Sequence, residues 1–373
     1  MLKDFSYFNL KHTINNPLRI FFLCGSFFNT KGGNKLDKRI VLKKHIESLN
    51  PNYKCLILEE NFLFRQSKSK LNYNDINMKS LKDIELLTSL MSDKVMIFHE
   101  SVSTAAEIGL FSSDKIINDK MIILAPDSYS IEQDVISGFI NLSYNNKVLP
   151  DYNIEIIRYY PGTYSYEISN NSNKIHTYFV NNVLGENLKS RLNNSLEISE
   201  VCINIEKQNK YNLFNNEISK YYVAGKELNV MLNIKHLVTL LTSLFSADEV
   251  KRKLREPISG GVDGSTKIKR KVLFKAISVI KSYFIEYIER AILSNNPTLR
   301  FEKIKISLAS TNITFSQSVS YFIYVLYGIN LIDINTTFKK LTIAVQFEQI
   351  SEAYVDLIIS PTNGGIAEVL NIE

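Results

Sequence analysis

"KVMIFHESVSTAAEIGLFSS", residues 94–113, decides how the chain is read. Its first half is a short apolar run closed by polar residues, the pattern of a strand buried on both faces of a parallel sheet. Its second half, "STAAEIGLFSS" at 103–113, has helical period, so a strand runs almost directly into a helix. One carboxylate, Glu107, sits among the small residues of that helix. Thr104-Ala-Ala-Glu107 has the S/T-x-x-E form of a capping box, in which the Glu side chain satisfies a backbone N–H. The alternative is that Glu107 does chemistry at the edge of the sheet.

The same alternation extends in both directions. "RIFFLCG" (19–25), "YKCLILEE" (53–60), "KMIILAP" (120–126) and "IEIIRYY" (154–160) read as further buried strands. Helical stretches lie between them at 36–50, 78–93 and 131–143. Strand alternating with helix at this spacing predicts an α/β fold with a flavodoxin/Rossmann-like parallel sheet covered on both faces. In such sheets ligands bind beyond the carboxyl ends of the strands, near the point where the strand order reverses.

Composition excludes several classes. With 373 residues, 45% of them hydrophobic and 22% charged, the chain can bury more than one core and is not expected to be disordered. Three cysteines, Cys24, Cys55 and Cys202, are widely spaced, which suits a reducing compartment and forms no zinc pattern. No run of eighteen apolar residues occurs and the amino terminus lacks a signal-like apolar core, so a soluble, cytoplasmic protein is expected. No metal or cofactor is expected.

The rule on strand ends selects candidate residues. After the first strand comes "CGSFFNTKGGNK" (24–35), where Gly25, Ser26, Gly32 and Gly33 precede a helix and suit an anion cradle or, equally, a plain surface turn. After the third strand, Glu100, Ser101, Ser103 and Thr104 join Glu107 as candidates for substrate contact, with His99 and Glu100 alternatively solvated at the rim. The helix "DIELLTSLMSD" turns Ile84, Leu86, Leu87 and Leu90 to the sheet and leaves Asp83 and Glu85 toward its flank. Asp93 is expected to have a structural role. A glycine loop, a carboxylate nucleophile and a second acid at one edge suit attack on the anomeric carbon of a sugar phosphate.

These residues resemble the nucleoside 2-deoxyribosyltransferase-like N-glycosidases. "FLCGSFFNTKGGNKLDKRI" is similar to that family's first strand and phosphate loop, "DIELLTSLMSDKVMIFHES" to its acidic helix and central strand, and "STAAEIGLFSS" to its nucleophile motif. The resemblance implies that Glu107 is the nucleophile, that Glu85 or Asp83 is the accessory acid, and that Gly25, Ser26, Gly32 and Gly33 line the nucleotide. Ser103 stands where the family often has glycine. "HESVSTAAEIGLFS", "KMIILAPDSYS" and "SGFINL" are more similar still to the toxin effectors of retron anti-phage systems. That likeness covers roughly residues 19–145. It implies a conditional toxin, in a homo-oligomer or larger assembly, held in check by a reverse transcriptase and its multicopy single-stranded DNA.

The remainder divides into a connecting region (166–234) after the catalytic domain (1–165), and a mainly helical, winged-helix-like region (235–373) that regulates or contacts nucleic acid. Residues 163–182 read as polar turns around one short strand. Helical period marks 235–256 and 268–294, separated by "EPISGGVDGSTK". Flanking that linker are Lys251, Arg252, Lys253, Arg255, Lys267, Lys269, Arg270 and Lys271, which suit phosphate contacts or a solvated helix face. The helix within 311–328 carries Tyr321, Phe322, Tyr324 and Tyr327, more fit for packing or a protein interface than for a DNA groove. Two functions are therefore expected in competition: an N-glycosidase acting on NAD or a deoxynucleotide, or a nucleotide-sensing module that turns nothing over and regulates a partner complex.

Overall fold

The run at 19–24 is buried at every residue, as a central parallel strand must be. A computed structural model describes residues 5–25, 37–61, 80–126, 154–159, 164–168, 171–175, 184–197, 200–208, 219–259, 264–309 and 311–360. Two short strands come first, β1 (Tyr7–Phe8) and β2 (Lys11–Asn15). Then follow β3 (Arg19–Cys24), α1 (Lys38–Leu49), β4 (Tyr53–Leu56), α2 (Leu58–Asn61), α3 (Leu81–Met91) and β5 (Lys94–Phe98). After them come α4 (Val102–Ser112), α5 (Lys115–Asn118), β6 (Met121–Pro126) and β7 (Glu155–Tyr159).

Strands β3 to β7 form a five-stranded sheet in the order β4-β3-β5-β6-β7, with every neighbouring pair parallel. All five expected strands are present, and the helix expected at 131–143 lies outside the described residues. The run read as a strand through residue 60 stops at Leu56. There the Asn61 side chain accepts the Ile57 N–H at 2.8 Å and the Asn61 N–H returns to Ile57 O at 2.9 Å, closing the helical turn α2.

The two sheet faces are covered differently. Phe21, Leu23, Phe98, Leu124 and Tyr159 share one core with Val41, Leu42 and Ile46 of α1 and with Leu188, Leu192 and Leu196. The last three belong to α6 (Glu186–Leu196), which follows a hairpin of β8 (Tyr164–Ile168) and β9 (Asn171–Ile175). That hairpin replaces the one short strand expected there. On the other face, Phe22 meets Phe111 of α4 edge-on at 6.2 Å between ring centres. Residues two apart on a strand share a face, so Cys24 lies on the α4 side as well.

Contacts divide the chain into two compact units, one of Arg19–Leu63 with Leu81–Ile198, the other of Met1–Leu18, Phe64–Ser80 and Ser199–Glu373. The expected boundaries at 165 and 234 both fall inside these units. The second unit contains β10 (Glu200–Lys207), β11 (Ser219–Ala224), β12 (Glu227–Leu232), α7 (Ile234–Ser243), α8 (Asp248–Arg255) and α9 (Ser265–Asn295). It continues with β13 (Lys303–Leu308), α10 (Phe315–Gly328), β14 (Ile332–Asn335), β15 (Lys340–Ile343), α11 (Val345–Glu352) and β16 (Ile358–Ile359).

A second five-stranded sheet, β13-β12-β11-β10-β2, takes β10, β11 and β12 from the stretch 166–234 expected only to connect, whereas helices predominate among the described residues after 234, as expected. Strands β10 and β12 alternate in burial: in β10, Val201, Ile203 and Ile205 are buried between exposed or half-buried neighbours. Gly225, at φ 61°, makes the tight turn from β11 to β12. β14 and β15 form an antiparallel hairpin after α10, and Tyr321, Phe322 and Tyr324 are buried in the core, as their aromatic content predicted. No helix among the described residues is long and apolar enough to cross a membrane.

Asp93 does have the structural role expected of it. Its carboxylate takes the Arg19 guanidinium at 2.5 Å and the Ile20 N–H at 3.0 Å, with the Arg19 side chain only 1% exposed. Removing one partner breaks a buried ion pair, so Asp93→Ala is expected to cost ~3 kcal/mol in urea unfolding. A loss under ~1 kcal/mol would mean that the pair is dispensable.

Candidate active site

At the start of α4 the cap is not the one the sequence pattern suggests. Ser101 is the N-cap: its side chain accepts the Thr104 N–H at 3.3 Å, while Thr104 Oγ1 accepts the Ser101 N–H at 3.0 Å. Thr104 therefore occupies the position that Glu fills in the commoner form of the box, and Glu107 is left out of it. Thr104, Ile108 and Phe111 are buried, and Glu107 lies in the same stripe at i+3 from Thr104. Its Oε2 is buried and meets no hydrogen-bond donor among the described residues.

Other charged groups converge on this place. β3 and β5 are neighbours, yet α1 packs on one face of the sheet and α4 on the other, which makes the carboxyl ends of these two strands the switch point. Burial raises the Glu107 carboxyl to about 7, aided by Glu85 and Glu59 and opposed by Arg39. Burial likewise raises Glu85 to about 7, with Glu59 adding to the effect. Beneath them, burial and the same three carboxylates push the Cys24 thiol well up. It stays protonated and is unfit as a nucleophile.

Arg39, on α1, is buried with its guanidinium held from two sides. Nη2 donates to Asp37 at 3.0 Å, and Nη1 donates to both oxygens of Glu59 at 3.1 and 3.0 Å. Burial alone would lower the Arg39 pKa, but these two carboxylates outweigh it and raise it. The arm passes over Gly25, where an added Cβ would lie 2.9 Å from Arg39 Cδ. This close approach explains the glycine directly. Sequence reasoning missed Asp37, Arg39 and Glu59, although Arg39 stands at i, i+3, i+7 with the apolar Leu42 and Ile46, where a charge is out of pattern.

Of the remaining candidates, Asp83 is exposed on the first turn of α3, whereas Glu85 is half-buried. Glu100 is engaged by Lys38 and by the Tyr159 hydroxyl. Ser101 and Thr104 are taken up by the cap, and Ser103 is exposed. Ser26, Gly32 and Gly33 lie outside the described residues. In the other unit, Lys251, Arg252, Lys253 and Arg255 are on α8, where Lys251 pairs with Asp248 at 2.8 Å, Lys253 with Glu256 at 3.0 Å, and Arg255 with Glu348. Lys267, Lys269, Arg270 and Lys271 occupy the first turns of α9, and all but Lys269 are exposed.

These roles separate in stability measurements. A carboxyl held at about 7 rather than 4.5 opposes its own ionisation in the folded chain. Its contribution is whole below pH 4.5 and is lost as pH rises to about 7. Glu107→Gln is therefore expected to raise stability at pH 8 by ~1–2 kcal/mol after allowing for partial solvation, and to change little at pH 4.5. Ser101→Ala is expected to cost ~1 kcal/mol through loss of the cap. If Glu107→Gln instead lowers stability at both pH values, Glu107 is a structural residue.

The likeness to retron toxin effectors rests in part on the residues of this same edge, 99–112. Comparison with known proteins bears on that resemblance across both units. None of the curated proteins matches the chain. The model of the STM3845 retron effector protein family matches residues 35–360, which is most of the chain, and the chain belongs to that family.

Proposed function

We propose that this retron effector is an N-glycosidase that cleaves the N-glycosidic bond of a nucleotide, NAD or a deoxynucleotide, through Glu107. Family membership itself points to a toxin role in anti-phage defence and to association with a retron system. One observation carries the enzymatic reading: Glu107 is excused from capping, its Oε2 is buried without a partner, and it sits beside Glu85 at the sheet's switch point. An unpaired buried carboxylate is costly, and a site that uses it accounts for that cost. The strand order, which is 2-1-3-4-5 when the five strands are counted along the chain, is that of flavodoxin-like sheets. It supports the likeness to nucleoside 2-deoxyribosyltransferase-like proteins.

In this reading a Glu107 oxygen attacks the anomeric carbon, the carbon–nitrogen bond breaks, and its electron pair leaves with the base. A neutral purine or pyrimidine needs a proton at that moment, and Glu85, half-buried and held near 7, is the acid at hand. Nicotinamide leaves NAD as a neutral molecule without one. Water then attacks the same carbon and gives its proton to the Glu85 carboxylate, which frees Glu107. The stretch 26–36 that follows Gly25 is assigned the phosphate. The exposed cations of α9, and α10 with the β14–β15 hairpin as a winged-helix-like element, are assigned to the reverse transcriptase and its single-stranded DNA.

Released bases are to be identified by mass after incubating the purified chain with NAD and with deoxynucleotides. Glu107→Gln is expected to lose at least ~1,000-fold in rate while retaining binding. Glu85→Gln should lose ~100-fold on deoxynucleotides and less on NAD, and Asp83→Asn should act as the parent does. Base release by Glu107→Gln at the parent rate overturns the reading.

A further inference from the structure

We propose that the tip of the β14–β15 hairpin is a stacking platform for an unpaired base of a single-stranded nucleic acid, with Phe338 under the base and Lys339 and Lys340 on the phosphates. This rests on the assignment of the hairpin to single-stranded DNA and deepens it, by naming the contact that tells a single strand from a duplex.

Phe338 is 63% exposed. A lone exposed apolar side chain is ordinary, but this one stands on a tip that is fastened in place. The Phe338 N–H donates to Asn335 Oδ1 at 2.9 Å, and Asn335 pairs with Lys340 across the hairpin. From outside the hairpin, the Ile258 N–H donates to Lys339 O at 2.9 Å. Lys339 itself has φ 50°, a left-handed conformation that a lysine adopts only at a cost. The turn thus keeps a cation where glycine would be the unstrained residue. Lys340 completes the tip, with Nζ 5.6 Å from the centre of the Phe338 ring. Ring and cation form one surface, and most of the ring stays open.

The charge beside the tip is of the same sign. Ile258 lies in the connection from α8 to α9, and β15 packs on both of these helices. Arg252 on α8 and Lys267 and Lys271 on α9 are exposed, and none of the three enters an ion pair among the described residues. The acids are few or occupied: Asp333, the one acidic residue of the hairpin, sits opposite Thr342 and away from the tip, and Glu348 is engaged by Arg255. Phe274, 40% exposed and at i+3 from Lys271, repeats the pairing of ring and cation on α9. A polyanion complements this surface. A duplex offers it phosphates only, because its bases are stacked on one another, whereas a single strand offers base faces that an exposed ring can take.

The test is fluorescence anisotropy of the full chain with a labelled oligothymidylate of about 20 nucleotides, long enough to span several stacking sites. Phe338→Ala is expected to weaken binding ~10-fold or more, and Phe338→Trp to keep it. Lys339→Gln and Lys340→Gln should each reduce the salt slope by ~0.7. A duplex of the same length should compete poorly, and its own binding should not change with Phe338→Ala. Binding by Phe338→Ala at the parent affinity overturns the proposal, and so does a duplex that competes as well as the strand. The wider assignment is separated by a second variant, Lys267→Gln with Lys271→Gln. If that variant weakens binding and Phe338→Ala does not, the assignment to single-stranded DNA stands and the platform falls. If only Phe338→Ala weakens it, the platform stands and the α9 cations are released from the assignment. No binding of any oligonucleotide by the parent chain rejects both.

Discussion

Neighbouring parallel strands β3 and β5 send their following helices to opposite faces of the sheet, and everything at the site depends on that reversal. Where successive helices leave on one side, the ends of their strands are closed over by the next connection. Where they part, the carboxyl ends are left open between two helix starts. Here the opening is bordered by the start of α1, with Asp37 and Arg39, and by α4, with Glu107 in its second turn. Hydrophobic burial builds the sheet, and the sheet brings together charges that would otherwise repel or scatter.

The cost of that gathering shows in the carboxyls. Glu85 and Glu107 are both raised to about 7, burial being the first cause in each case. A folded chain tolerates such groups when the rest of its core carries the stability, and the tightly buried strands and the Arg19–Asp93 pair are of that kind. The order of magnitude is informative. A carboxyl held two or more pH units above its ordinary value works against folding at neutral pH by an amount comparable with a lost cap or a small core cavity. Structure is paid for elsewhere so that this edge can be unfavourable.

Much of the first unit was legible because its strands are buried on both faces and its helices on one, which writes two different periods into the residues. The same logic explains what escaped. Glu107 looked like a capping residue because Thr104-x-x-Glu107 satisfies the pattern, yet Ser101 outcompetes it by sitting at the residue where the chain leaves extended geometry. Arg39 was legible in principle, as a charge in an apolar stripe, whereas its partnership with Glu59 depends on a helical turn that local sequence reads as strand. The second sheet was harder. Its strand β2 lies near the amino terminus and pairs with β10 through Asn15 and Glu200, a contact no local pattern announces.

That last pairing has a consequence for the order of events on the ribosome. β2 is made early but has its partner only when β10 emerges, after nearly all of the first unit has been synthesised. Chains fold from the amino terminus as they are made, so the β3–β7 sheet can assemble while the second sheet is still missing a strand. In this retron effector the first unit is therefore complete in the nascent chain before the second sheet has all its strands.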